Sequence, residues 1–144
     1  KTADGIEQVS TDEFFKGRKV VIFALPGAFT PTCSAKHLPG FIKNADAIKA
    51  KGVDEIACVS VNDAFVMDAW GTSQNAGDAV AMLADGSAIF ANELGLGLDL
   101  VSKGMGPRSQ RYAMIVDDGT VSVLNVEEAG AFDVSSAEAI LAAL

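Results

Sequence analysis

The sequence predicts an α/β domain built on a central mixed β-sheet with helices on both faces. Three observations carry this expectation. Two near-continuous apolar runs, Lys19-Val20-Val21-Ile22-Phe23-Ala24-Leu25 and Glu55-Ile56-Ala57-Cys58-Val59-Ser60-Val61, read as central strands buried on both sides. Stretches with helix start and stop signals alternate with them. Towards the C-terminus, Asp118-Gly119 between two strand-like segments is a strong signal for a hairpin, which supplies antiparallel strands.

Each element can be justified in order. The first run ends at Pro26-Gly27-Ala28-Phe29-Thr30-Pro31-Thr32-Cys33, which also opens a helix. With Thr30 as N-cap, Pro31 falls at N1, where its missing N–H costs nothing, and Cys33 falls at N3. Pro39 cannot donate to the carbonyl of Ala35 and Gly40 follows it, so this helix is expected to kink or break there. The turns holding Cys33 would then be a short piece that is cheap to unfold locally. A further helix should run from Asn44 to Lys51 and stop at Gly52. Beyond the second strand, Asp63 can cap a helix through Trp70, and Ser87 a short one after the Asp85-Gly86 turn. Arg111 to Val116 and Thr120 to Val126 form the hairpin. Ser135-Ser136-Ala137-Glu138 reads as a capping box that opens a last helix to Leu144. A β-α-β half followed by a hairpin and a helix is the thioredoxin-like arrangement. No repeat, linker or low-complexity segment interrupts residues 1–144, which read as one domain.

Composition narrows the function. A chain of 144 residues, 49% hydrophobic, has the length for a real core. A net charge of −8 offers no basic patch for nucleic acid or an anionic membrane. Two cysteines do not make a disulfide framework, so a reducing compartment is the default; with His37 the single histidine, no metal-ligand spacing exists and no cofactor is expected. The longest uncharged stretch, Val20 to Ala35, is broken by Pro26, Gly27 and Pro31. Neither a signal peptide nor a membrane span is therefore expected, and the cytoplasm is the expected location.

The chemistry centres on Cys33. A thiolate in the first turn of a helix faces the positive end of the helix dipole and unpaired N–H groups, both of which stabilise the anion. A cationic group able to stabilise developing charge would complete a reactive site, and arginine suits the task because it stays charged and offers a rigid fork of donors. Arg18, Arg108 and Arg111 are all candidates, and periodicity does not choose between them. His37 lies four residues after Cys33 on the same helix face, where it can assist the thiolate or be a structural histidine. Cys58 has two roles open to it, a resolving thiol or an inert cysteine buried mid-strand.

The segment from Pro26 through Cys33 and on to Ser34-Ala35-Lys36-His37-Leu38-Pro39-Gly40-Phe41 resembles the peroxidatic-cysteine signature of the peroxiredoxins, in particular the type II or peroxiredoxin-5-like branch. Similar stretches follow in order: Val61 to Trp70, Leu83 to Ser87, and Arg111-Tyr112 through Asp117-Asp118-Gly119. The resemblance implies a thioredoxin-like fold and a thiol-dependent peroxidase. Cys33 would attack hydrogen peroxide or an organic hydroperoxide, become a sulfenic acid, and be recycled by glutaredoxin with glutathione or by thioredoxin. It also selects Arg111 as the catalytic arginine, assigns Thr30 a hydroxyl contact with the thiolate or peroxide, and has Pro26 shield the sulfur, while Arg108 stays open between a supporting position and a solvated surface arginine. The interval of 25 residues between Cys33 and Cys58 is similar to that of the two cysteines in plant and bacterial members. The branch is usually homodimeric, with Phe65 and Trp70 as candidate interface aromatics, although core burial suits either. Two features depart from the family pattern: its V-G-D-type first strand has no counterpart from Lys1 onward, and Pro107 stands at a position that is usually not proline. The competing class is a non-catalytic redox sensor or holdase that uses Cys33 on the same fold. A C-x-x-C disulfide reductase is disfavoured because Lys36 occupies the place of the second cysteine.

Overall fold

The structure, a computed structural model, describes residues 5–144. Five strands form the main sheet: β1 (Lys19–Ala24), β2 (Glu55–Ser60), β3 (Ala81–Ala84), β6 (Tyr112–Asp117) and β7 (Thr120–Val126), in the order β3-β2-β1-β6-β7. The sheet is mixed as expected, with β1, β2 and β3 parallel and β6 antiparallel to both its neighbours, β1 and β7. A separate two-stranded ribbon pairs β4 (Gly97–Leu100) with β5 (Gly106–Ser109).

The apolar runs are continuous because both faces of the central strands are covered. Along β1, Val21 and Phe23 enter one core with Ile56, Cys58, Ala113 and Ile115, while Val20, Ile22 and Ala24 enter the other with Ala57, Val59, Tyr112 and Met114. The first core is covered by the cysteine helix, α2 (Leu38–Lys43), α3 (Ala45–Lys49), α4 (Ala64–Ser73) and α6 (Ala137–Ala143). The second is covered by α1 (Thr11–Phe15) and α5 (Ile89–Glu93) through Phe14, Phe15 and Phe90. Cys33 therefore sits over the first face, beside the C-terminal ends of β1 and β2.

Most local expectations hold. Asp63 accepts the Val66 N–H at 2.9 Å and starts α4. Asp118 and Gly119 both adopt positive φ, +47° and +82°, as a tight hairpin between twisted strands requires. Three expectations are corrected. The Cys33 helix neither breaks nor ends at Pro39: residues 33–37 wind as a π-helix, in which the Leu38 N–H reaches the carbonyl of Cys33, and α2 continues directly from it. Underwinding accommodates a proline whose missing N–H would otherwise interrupt the α pattern. Ser87 does not cap α5; Asp85 does, its two carboxylate oxygens accepting the Phe90 and Ala91 N–H groups at 3.0 and 2.9 Å. The last helix is capped by Ser136, which accepts from Ala139, whereas Ser135 turns its hydroxyl towards Glu127. Apart from these, Arg108 lies on β5 and Arg111 just before β6. The sequence reading also omitted α1, whose N-cap Ser10 accepts from Glu13, and the short strands β3, β4 and β5.

Among the described residues no helix is long and apolar enough to cross a membrane. Asp85→Ala should lower the free energy of unfolding by about 0.5–2 kcal/mol, because two helix N–H groups lose their acceptor. Ser87→Ala should stay within about 0.5 kcal/mol of wild type. Urea denaturation of the two variants reads the difference.

Candidate active site

The loop from Pro26 to Thr30 carries the chain from β1 into the cysteine helix, and its path is fixed by polar contacts. Ala28 N–H donates to Asn62 Oδ1 at 3.0 Å, and the same oxygen accepts from Ser60 Oγ at 2.7 Å. Arg108 spans the loop from the other side, donating to Met105 O at 2.8 Å, Val61 O at 3.3 Å and, more weakly, Pro26 O at 3.5 Å. The approach is so close that a Cβ on Gly27 would lie 3.1 Å from Arg108 Nη1 and 3.2 Å from Thr30 Cγ2, so only glycine fits without displacement. Thr30 takes the N-cap position through its backbone, its carbonyl accepting from Ser34 N–H at 2.9 Å. Its hydroxyl does not cap the helix: it donates to Gly27 O at 2.7 Å.

Cys33 is fully buried. Arg111 Nη2 donates to its Sγ at 3.1 Å, and the neighbouring Nη1 lies 2.8 Å from His37 Nδ1. A guanidinium only donates, so Nδ1 must accept, and the ring proton resides on Nε2, which donates to Ser135 O at 3.0 Å. His37 thus contacts the arginine rather than the sulfur. Burial is the main reason its pKa falls to about 3, with the positive charge of Arg111 adding to it. The imidazole is neutral near pH 7 and holds the guanidinium without competing with it for positive charge. Phe132 packs against both groups, its ring centroid 5.9 Å from Arg111 Cζ and 5.1 Å from the His37 ring.

Of the three arginines, Arg111 is the one whose side chain donates to Cys33 Sγ. Arg18 is remote from the site, bonded to Phe14 O and 3.6 Å from Glu55. Cys58 is fully buried on β2, opposite Phe23 of β1, and is a free thiol. Burial chiefly, with the adjacent Cys33, pushes its pKa well above the ordinary value, which keeps it protonated. Trp70 is buried and its indole N–H donates to Ser34 Oγ at 3.0 Å, tying α4 to the π-turn, whereas Phe65 is 62% exposed. A groove of about 1980 Å³ is lined by parts of α1, α4 and α5 and includes neither cysteine. Asn62, Ser60, Glu127, Phe132 and Ser135 were not singled out from the sequence as site residues. Only their meeting in space identifies them.

A family model described as Redoxin matches residues 1–141. Peroxiredoxin-2B of Arabidopsis thaliana is 53% identical over 98% of this chain and 87% of its own length. The chain belongs to the peroxiredoxins. A chloroplastic relative from rice, Peroxiredoxin-2E-2, is 59% identical over 99% of this chain, which spans 65% of that protein's length. Among solved peroxiredoxins, reduced Prx3 of Vibrio vulnificus in complex with hydrogen peroxide superposes with a TM-score of 0.89 at 63% identity, covering 92% of this chain and 86% of that one. These similarities accord with a type II peroxiredoxin on a thioredoxin-like fold.

The buried histidine has a consequence for acid stability. The unfolded chain protonates His37 near pH 6.5, the native protein only near pH 3, so acidification draws the equilibrium towards the unfolded chain. Stability from this group should be complete above about pH 6.5 and decline as the pH falls towards 3. His37→Gln retains a donor and an acceptor without titrating, and should flatten that part of the curve in urea unfolding series at successive pH values.

Proposed function

We propose that the protein is a thiol peroxidase that reduces hydrogen peroxide and small organic hydroperoxides at Cys33. The observation that carries the reading is the guanidinium of Arg111 shared between Cys33 Sγ and a neutral His37. The Cys33 thiolate attacks one peroxide oxygen, an S–O bond forms and the O–O bond breaks. Sulfur is oxidised to the sulfenic acid, and the departing hydroxide or alkoxide takes up a proton to leave as water or alcohol. Arg111 stabilises the thiolate and the charge that gathers on the departing oxygen. We assign Pro26 to shielding the sulfur and Thr30 to contacting the peroxide; the Thr30 hydroxyl can still accept from a peroxide O–H while donating to Gly27 O. Arg108 supports the loop through the carbonyl of Pro26. Hydrogen peroxide bound to the similar Vibrio protein favours this substrate class.

For recycling we propose an outside thiol, glutathione with glutaredoxin or thioredoxin. Cys58 is buried and protonated on a central strand, so a Cys33–Cys58 disulfide would require both unwinding of the π-turn and exposure of the strand thiol. We assign the chain to a single domain and to a homodimer, supported by Phe29 and Phe65, which are 56% and 62% exposed near the cysteine helix and α4. The cytoplasm is our proposed location on the sequence argument; the rice relative is named as chloroplastic. A sensor or holdase that reacts once is less favoured, since the relatives are named as peroxiredoxins.

Cys33→Ser should abolish peroxide consumption, and full activity in that variant would overturn the assignment. Arg111→Lys supplies charge without the fork that reaches both Sγ and Nδ1, and should slow the peroxide step by roughly 10²–10³-fold in stopped-flow assays. Intact mass after one equivalent of hydrogen peroxide should show a trapped sulfenic acid on Cys33, not the loss of two hydrogens that marks an internal disulfide.

A further inference from the structure

Glu127 follows the edge strand β7 and is buried, 8% exposed, beside the site but out of contact with the sulfur. Its backbone N–H donates to Arg111 O at 2.9 Å. Its carboxylate Oε2 accepts from Asp133 N–H at 2.6 Å, Ser135 N–H at 2.9 Å and Ser135 Oγ at 2.7 Å. Ser135 O is in turn the acceptor for His37 Nε2, and His37 Nδ1 is the acceptor for Arg111 Nη1. The contacts close a ring: Arg111 backbone, Glu127, Ser135, His37, Arg111 side chain. The segment from Asp133 to Ser135 pinned by this carboxylate adjoins Phe132, the ring that packs on both Arg111 and His37.

The ring carries information that no single bond does. If Ser135 O moves, the Nε2–H loses its acceptor, the imidazole can rotate or change tautomer, and Nδ1 no longer has to accept from Arg111. A guanidinium freed on that side loses one of the two directional bonds that aim Nη2 at sulfur. Burial raises the cost of ionising Glu127, yet the Ser135 hydroxyl and the N–H groups of Ser135, Asp133 and Val134 outweigh it and hold the carboxyl below its ordinary pKa. The anion is therefore the working form at neutral pH, and charged acceptors make the stronger hydrogen bonds.

From this geometry we propose that Glu127 is a positioning residue for peroxide reduction, acting through Ser135 and His37 to set the aim of Arg111 at Cys33. The inference rests on the peroxidase reading for its kinetic consequence and on the hydrogen-bond ring alone for its structural one, so the two can fail separately.

The test combines kinetics in two backgrounds with an activity-independent signature. Glu127→Gln should keep the fold but weaken the clamp. It should lower the second-order rate of Cys33 oxidation by hydrogen peroxide by about ten- to a hundredfold, the scale that a misplacement of about 1 Å brings. The rate at which thiol reduces the preformed sulfenic acid should stay unchanged. In an Arg111→Ala background the same substitution should change the oxidation rate less than about twofold, because the group it aims is gone. An equal loss in both backgrounds would overturn the proposal by showing a general structural effect. By ¹⁵N NMR, His37 should give a single neutral tautomer protonated on Nε2 in the wild type and a mixed or exchanging ring in Glu127→Gln; an unaltered ring signal in the variant would also overturn it. A wild type that does not react with peroxide sinks the peroxidase reading, while the NMR comparison still decides the ring. If Glu127→Gln fails to fold, Ser135→Ala, which removes only the hydroxyl bond, carries the same comparisons with a smaller expected loss.

Discussion

A guanidinium held in a largely apolar site is the constraint on which the active centre depends. Arg111 cannot shed its proton, so everything around it must tolerate a fixed positive charge or supply acceptors for it. Two acceptors are supplied by one helix segment, the sulfur of Cys33 and Nδ1 of His37. That arrangement requires a neutral imidazole, which burial and the arginine itself enforce. Neutrality in turn leaves the Nε2–H in need of an acceptor, and the carbonyl of Ser135 fills that need. Each choice follows from the one before it.

Backbone winding serves the same end. Pro39 removes a donor from the middle of the helix, and the chain responds with five π-wound residues that carry both Cys33 and His37. A normal α-helix with a proline at that place would leave the carbonyl of Ala35 without its partner. The segment is nonetheless anchored: Trp70 bonds Ser34, and Phe41 stacks on Phe23 with centroids 4.0 Å apart. The segment thus joins π-type winding to firm side-chain packing.

The thiols illustrate how environment divides identical groups. Both are buried and both face the same core. Cys33 lies at the start of a helix and receives a charged donor, whereas Cys58 sits mid-strand between Ala57 and Val59 with no hydrogen-bond donor aimed at it among the contacts of the described residues. Burial without a cation beside it favours the neutral form, so Cys58 is chemically quiet in the folded protein.

By itself, the sequence determined whatever depends on neighbours along the chain. The apolar runs marked β1 and β2, Asp118-Gly119 marked the hairpin, Asp63 marked the start of α4, and Thr30-Pro31 marked the entry to the cysteine helix. Those signals are local because capping, turn geometry and strand burial act within a few residues. Even there, near-equivalent candidates were misread: Asp85 took the cap from Ser87, and Ser136 took it from Ser135, since only the path of the surrounding chain decides which side chain reaches the N–H. Which arginine meets Cys33, what His37 bonds and what Glu127 accepts from belonged to tertiary structure. The contacts of His37 join residues 74 and 98 positions apart, to Arg111 and to Ser135. No periodicity along a chain encodes such a meeting; it exists only once the sheet has brought β1 and β6 side by side.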